Sequence, residues 1–101
     1  MGWATAHIEM LLVGGTVQFR PRGHSMTGKV NNGDLVTVEP LTEESVLRKG
    51  DIVLCKVRKH EYLHLIKSVS QDRFLIGNNR GGTNGWIKRT HIYGKCTKVE
   101  K

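Results

Sequence analysis

Ile52-Val53-Leu54-Cys55-Lys56-Val57-Arg58-Lys59-His60-Glu61-Tyr62-Leu63-His64-Leu65-Ile66-Lys67-Ser68-Val69 is the stretch that decides the fold. Two apolar runs rich in β-branched residues flank a charged interval, which is the pattern of a hairpin. The reading is a strand over 52–57, a four-residue loop Arg58-Lys59-His60-Glu61, and a partner strand from Tyr62 to Val69. Strand alternation puts Tyr62, His64 and Ile66 on one face and Leu63, Leu65 and Lys67 on the other. His64 and Lys67 can therefore reach one site only if a bulge intervenes.

Outward from this hairpin the chain repeats the theme. Val17 to Arg20 reads as a strand ended by Pro21, and Leu35 to Val38 as another closed by Pro40. Gln71-Asp72 is a tight turn into Phe74-Leu75-Ile76. Residues 77 to 86, rich in glycine and asparagine, read as a long loop, and Ile87 and residues 91 to 99 supply the last strands. Residues 41 to 48 could hold one helical turn, with Leu41-Thr42-Glu43-Glu44-Ser45 as its start. Residues 3 to 13 read as a short helix, because Ile8, Leu11 and Leu12 fall on one face. Thr5 is its candidate N-cap and Gly14-Gly15 its stop. The expectation is a mainly β protein, a small coiled-sheet or barrel-like fold with one short N-terminal helix. Residues 1–15 form the helical segment and 16–101 the β domain, one domain overall.

Composition narrows the classes. With 101 residues, 38% hydrophobic and 25% charged, the chain is neither a low-complexity nor a disordered polymer. Sixteen Lys and Arg against nine Asp and Glu give a net charge of +7, a field that attracts anionic partners. Cys55 and Cys96 lie in apolar, strand-like stretches without zinc spacing, so both read as buried thiols in a reducing compartment. No run approaches the ~20 apolar residues of a spanning helix. The N-terminus reads as no signal peptide, since Glu9 interrupts its apolar stretch and its first basic residue is Arg20. A cytoplasmic protein without cofactor or membrane partner is the expectation.

Ser25 is the leading candidate for chemistry. It stands in the loop Arg22-Gly23-His24-Ser25-Met26-Thr27-Gly28, where a hydroxyl can be exposed beside free backbone N–H groups. Those are the needs of an acyl-transfer nucleophile, although loop serines commonly just cap turns. His64 is an imidazole suited to base catalysis near neutral pH, and equally the kind of histidine that packs into a core.

The order of motifs is then recognisable. Gly23-His24-Ser25-Met26 is followed by Asn32-Gly33-Asp34, Lys49-Gly50-Asp51-Ile52-Val53, Tyr62-Leu63-His64-Leu65-Ile66, Gly77-Asn78-Asn79 and Asn84-Gly85-Trp86. The chain resembles the superfamily of signal peptidases and LexA/UmuD-type self-cleaving repressors over about residues 19 to 98. The resemblance implies a stand-alone serine peptidase, of a kind found in bacterial or phage genomes, that cleaves a protein or peptide substrate. Ser25 would be the nucleophile and His64 the general base, at the position where the bacterial and repressor branches have lysine. The N–H of Ser25 would join the oxyanion hole and Met26 would shape the substrate groove. Asn78 and Asn84 would be the candidates to orient the base. The departures are Gly28 where the family usually has proline, and Asn78 and Asn84 where it has aspartate. In the serine-protease triad, Asp to Asn costs about 10⁴ in turnover, so a dyad, a weak enzyme or a degenerate relative is expected. The expectation is a domain without the membrane anchor of signal peptidases and without the DNA-binding domain of the repressors.

Two rival readings remain. Arg20, Arg22, Lys56, Arg58, Lys59, Arg80, Lys88, Arg89, Lys95 and Lys98 could form the basic surface of a non-catalytic barrel that binds nucleic acid or a partner protein. Against it, aromatic residues are few and no RNP-like motif occurs. A metal set of His24, His60 and His64 is the other, opposed by the charged loop around His60, which reads as exposed. The Gly81-Gly82 pair lacks the lysine and following helix of a phosphate-binding loop.

Overall fold

A computed structural model describes residues 2–101; Met1, the head of the expected helical segment, lies outside the described residues. The sequence order is α1 (Thr5–Leu12), β1 (Val17–Phe19), β2 (Leu35–Pro40), β3 (Ile52–Val57), β4 (His60–Ser70), β5 (Arg73–Gly77), β6 (Thr83–Lys88), a 3-10 turn at Arg89–His91, and β7 (Ile92–Glu100). All seven strands join one antiparallel sheet in the order β1-β2-β7-β3-β4-β5-β6. The protein is mainly β with one short helix, as expected.

The sheet is coiled rather than closed. β1 and β6 are its two edges. Yet β3 and β6 touch although two strands lie between them. One face carries Val36, Val38, Leu54, Leu63 and Leu65, covered by Ile8 and Leu11 of α1 and by Met26 and Val30 of the β1–β2 loop. The other face curls around Val53, Cys55, Val57, Ile66, Phe74, Ile76, Ile87 and Ile92. Two cores on one sheet explain why β3 reads as a nearly continuous apolar run: it is covered on both sides.

Several local expectations are corrected. The β3–β4 loop is two residues, Arg58-Lys59, because Val57 pairs with His60. Arg58 takes φ +58°, the left-handed first position of the tight turns that suit twisted strands. The polar run Arg58 to Glu61 reads as a longer loop, but His60 and Glu61 already belong to the ladder. Residues 41 to 48 form no helix. Their turn is held by Thr42 N–H donating to Ser45 Oγ at 2.9 Å and Ser45 N–H to the Thr42 carbonyl at 3.1 Å. The long loop expected over 77–86 shrinks to 78–82, because Thr83–Lys88 is the edge strand β6. Cys55 is buried as expected, and desolvation pushes its thiol up to about 12, whereas Cys96 is only half-buried.

The helix ends as expected at Gly14, φ +89°, with Gly15 N–H donating to the Met10 carbonyl at 2.9 Å. Its start differs. Thr5 is the first helical residue rather than the cap. The open N-terminus is instead served from β4: the Glu61 carboxylate accepts the Ala4 N–H at 2.7 Å and the Thr5 hydroxyl at 3.0 Å. A negative group there offsets the helix dipole and satisfies an otherwise orphaned donor. No described helix is long and apolar enough to cross a membrane.

Candidate functional site

The β1–β2 connection, residues 20–34, carries Ser25 and is built to hold it still. Met26 plunges into the core, and its carbonyl accepts from Lys29 N–H at 3.0 Å and Val30 N–H at 2.8 Å, one helical turn. Asn32 Oδ1 accepts from Gly23 N–H at 2.8 Å and Asn31 Oδ1 from Gly28 N–H at 3.0 Å. Gly28 sits at φ +99°, which a proline ring cannot adopt. The backbone N–H groups of His24, Ser25 and Met26 meet no acceptor among the described residues.

A second clamp comes from the far end of the sheet. Asn79 N–H donates to the Ser25 carbonyl and Asn79 Nδ2 to the Thr27 carbonyl, each at 2.8 Å. The serine loop is thereby fastened to the β5–β6 turn.

These constraints bring Ser25 Oγ to 3.2 Å from His64 Nε2. On the opposite side of the ring, His64 Nδ1 lies 2.7 Å from Asn84 Oδ1. An amide oxygen can only accept, so Nδ1 carries the proton and Nε2 presents its lone pair to the serine hydroxyl. That is the tautomer a general base needs. Burial lowers the His64 pKa below its ordinary 6.5, against a smaller upward pull from the Asn84 hydrogen bond. Burial therefore favours the neutral ring. Tyr62, its face-mate by strand alternation, stacks on it with centroids 4.8 Å apart and planes at 27°.

The sequence candidates separate here. Asn84 is the residue that holds the His64 ring. Asn78 is not: its Oδ1 accepts from the N–H groups of Arg80 at 2.9 Å and Gly82 at 2.8 Å, tying its own turn together. Asn84 reaches the ring because of a break in the ladder. Ile76 pairs with Gly85 but Gly77 pairs with Thr83, which leaves Asn84 as the extra residue of a β-bulge. A second bulge falls at Lys67, between Ile66 and Ser68. Its ammonium donates to the Asn78 carbonyl at 2.9 Å, bracing the turn rather than touching Ser25 or His64. Met26 lines the site from beneath, with 5% of its surface exposed, and is as much a core anchor as a groove residue.

The serine, its histidine and both Asn78 and Asn84 border a cavity of about 740 Å³. Trp3, His7 and Phe19 form another of its walls. Sequence reasoning missed Asn79, Tyr62 and the cavity role of the N-terminal segment. It also missed Glu61, taken as part of an exposed charged loop and found 7% exposed. No signal in a single sequence pairs Glu61 with a helix start 57 residues away.

The rival sites do not assemble in the same way. His24, His60 and His64 form no metal-binding group, and none of three or more His, Cys, Asp or Glu side chains occurs among the described residues. His64 spends both ring nitrogens on Ser25 and Asn84. Of the basic residues, Arg89 donates to the carbonyls of Thr42 and Ser45, Arg20 to that of Gly33, and Lys95 and Lys98 pair with Asp51 and Glu100. Comparison with models of known protein families finds no match, and comparison with curated proteins finds none either.

Proposed function

We propose that the protein is a serine peptidase of the signal peptidase and LexA type, acting through Ser25, His64 and Asn84. The observation that carries this reading is the hydrogen-bonded line Asn84–His64–Ser25, at 2.7 and 3.2 Å, opening into a cavity large enough for a peptide segment. A nucleophile, a neutral base and an orienting acceptor within reach of one another form the general signature of nucleophilic acyl transfer.

The steps follow from the atoms. His64 Nε2 takes the Ser25 hydroxyl proton as Oγ attacks the substrate carbonyl carbon. The oxyanion is held by the unengaged N–H groups of Ser25 and Met26. The imidazolium then gives its proton to the leaving amine, the peptide C–N bond breaks, and an acyl-serine remains. Water, deprotonated by the same Nε2, hydrolyses it. Asn84 keeps Nδ1–H aligned throughout. It supplies a dipole where an aspartate would supply a full charge, so the imidazolium is stabilised less and turnover is slower than in an aspartate triad. The substrate backbone would lie along the open edge of β1, adding a strand beside the Ser25 loop.

Peptide cleavage read by mass spectrometry against a denatured-protein mixture tests the reading. Ser25→Ala and His64→Ala should each lower turnover by about 10⁴ or more. Cleavage at the wild-type rate by either variant would overturn it.

A further inference from the structure

The cavity has a wall that catalysis does not use. Trp3 is a large apolar side chain left 53% exposed, yet it is not loose. Its indole N–H donates to the Glu61 carbonyl at 3.1 Å. Its ring meets Phe19 edge-on at 5.6 Å, and Phe19 stacks on His7 at 4.4 Å. An exposed indole fixed by a hydrogen bond and an aromatic neighbour has already lost its rotamer freedom, so covering it costs little further entropy. The segment bearing it is fastened by the Glu61 carboxylate, and any side chain at Gly2 would collide with that carboxyl group.

Charge supplies the second half. Arg20 and Arg22 line the same cavity. Arg20 is held by its bond to the Gly33 carbonyl at 2.7 Å, whereas Arg22 meets no acceptor among the described residues. Glu61 is the one carboxylate among the described lining residues, and both its oxygens are already engaged by the helix start.

We infer that the Trp3–His7–Phe19 wall and the Arg20–Arg22 rim form a specificity subsite that takes an acidic peptide carrying a bulky, preferably aromatic, apolar side chain near the bond to be cut. The inference rests on the peptidase reading for its placement beside the scissile bond. Small side chains such as alanine leave the indole uncovered and gain little from the wall, while a phenylalanine ring buries against it.

The test separates binding from turnover. Short peptides of alanine, glycine and glutamate, with a single phenylalanine moved stepwise along them, are titrated calorimetrically into Ser25→Ala protein. Matched peptides replace the phenylalanine by alanine, or the glutamates by lysines. The best phenylalanine peptide should bind about tenfold or more tightly than its alanine counterpart. Trp3→Ala, on the same background, should erase that preference while Trp3→Phe retains most of it. Arg22→Glu, at an exposed side chain, should abolish the preference for glutamate over lysine. Equal affinity for phenylalanine and alanine peptides, a preference untouched by Trp3→Ala, or binding of none of the peptides overturns the inference. Wild-type protein that binds the phenylalanine peptides with this selectivity but cleaves none overturns the peptidase reading alone. Cleavage without side-chain preference overturns the subsite alone.

Discussion

The β3–β4 hairpin and the β5–β6 segment are both pairs of antiparallel strands, and they differ in one respect. In the first, every residue from Ile52 to Val57 pairs in step with one from Leu65 to His60, across a two-residue turn. In the second, the ladder slips at Asn84, and a five-residue turn, 78–82, reaches out to grip the serine loop. The regular pair builds core on both of its faces. The irregular pair aims side chains: Asn84 at His64, Asn79 at the Ser25 loop. Regular pairing maximises burial and hydrogen bonding but leaves each side chain only two directions, and a bulge gives a third. Gly77 marks the same irregularity, since a side chain there would run into the Gly82 carbonyl.

Breaking the irregular pair at its two asparagines should give opposite phenotypes. Asn84→Ala should cost roughly 10² to 10³ in kcat, with melting temperature nearly unchanged, because the base loses its orienter but the ladder keeps its backbone bonds. Asn78→Ala should do the reverse. It removes the acceptor of two backbone donors and should lower stability by about 1–3 kcal/mol, measured by urea unfolding, with a smaller effect on kcat. Equal loss of activity in both would mean that the turn, and not the Asn84 contact, holds the base.

A smaller effect lies in the pH profile. Burial holds the His64 pKa below 6.5, so the acid limb of kcat/KM should have its midpoint below 6.5, with activity rising as pH rises through it. Asn84→Asp, which places a negative charge beside the ring, should move that limb upward. The same shift has a stability consequence. The unfolded ring takes up its proton near the ordinary value and the folded ring only at lower pH. This contribution to stability is therefore complete above 6.5 and is lost as pH falls through the folded value. A limb midpoint above 6.5 in wild-type protein would contradict the burial of the base.

The smallest effect belongs to the regular hairpin. Arg58 occupies φ +58°, where a side chain costs roughly 1 kcal/mol. Arg58→Gly should therefore raise stability by a few tenths of a kcal/mol, offset by the greater freedom of glycine in the unfolded chain, and leave activity unchanged. Loss of activity in this variant would show that the two hairpins are coupled.

The same contrast marks how far the sequence could be read. Ile52–Val57 and Tyr62–Val69 announce themselves because periodic burial leaves a periodic pattern, and the tandem glycines after α1 announce its end. Ser25 and His64 were legible as residue types, a serine in a glycine-flanked loop and a histidine on a strand. Asn84 could be named but not told apart from Asn78, since both are asparagines in one polar stretch that hides the strand Thr83–Lys88. Glu61 could not be found at all: the three residues before it are polar and exposed, and the groups that engage it, Trp3, Ala4 and Thr5, lie 56 to 58 positions away.

The sequence by itself determined a mainly β chain with one short helix, the approximate strands, and the presence of a loop serine and a strand histidine. These depend on local propensity and on patterns that repeat within one element. Tertiary structure alone decided the 3.2 Å approach of Ser25 to His64, the tautomer of the ring, the choice of Asn84 over Asn78, and the wall that Trp3 gives the cavity. Each of these joins residues at least 16 positions apart in the chain, through two bulges and a clamped loop. Such pairings are set by packing and register across the whole sheet, for which a local pattern of residues carries no record.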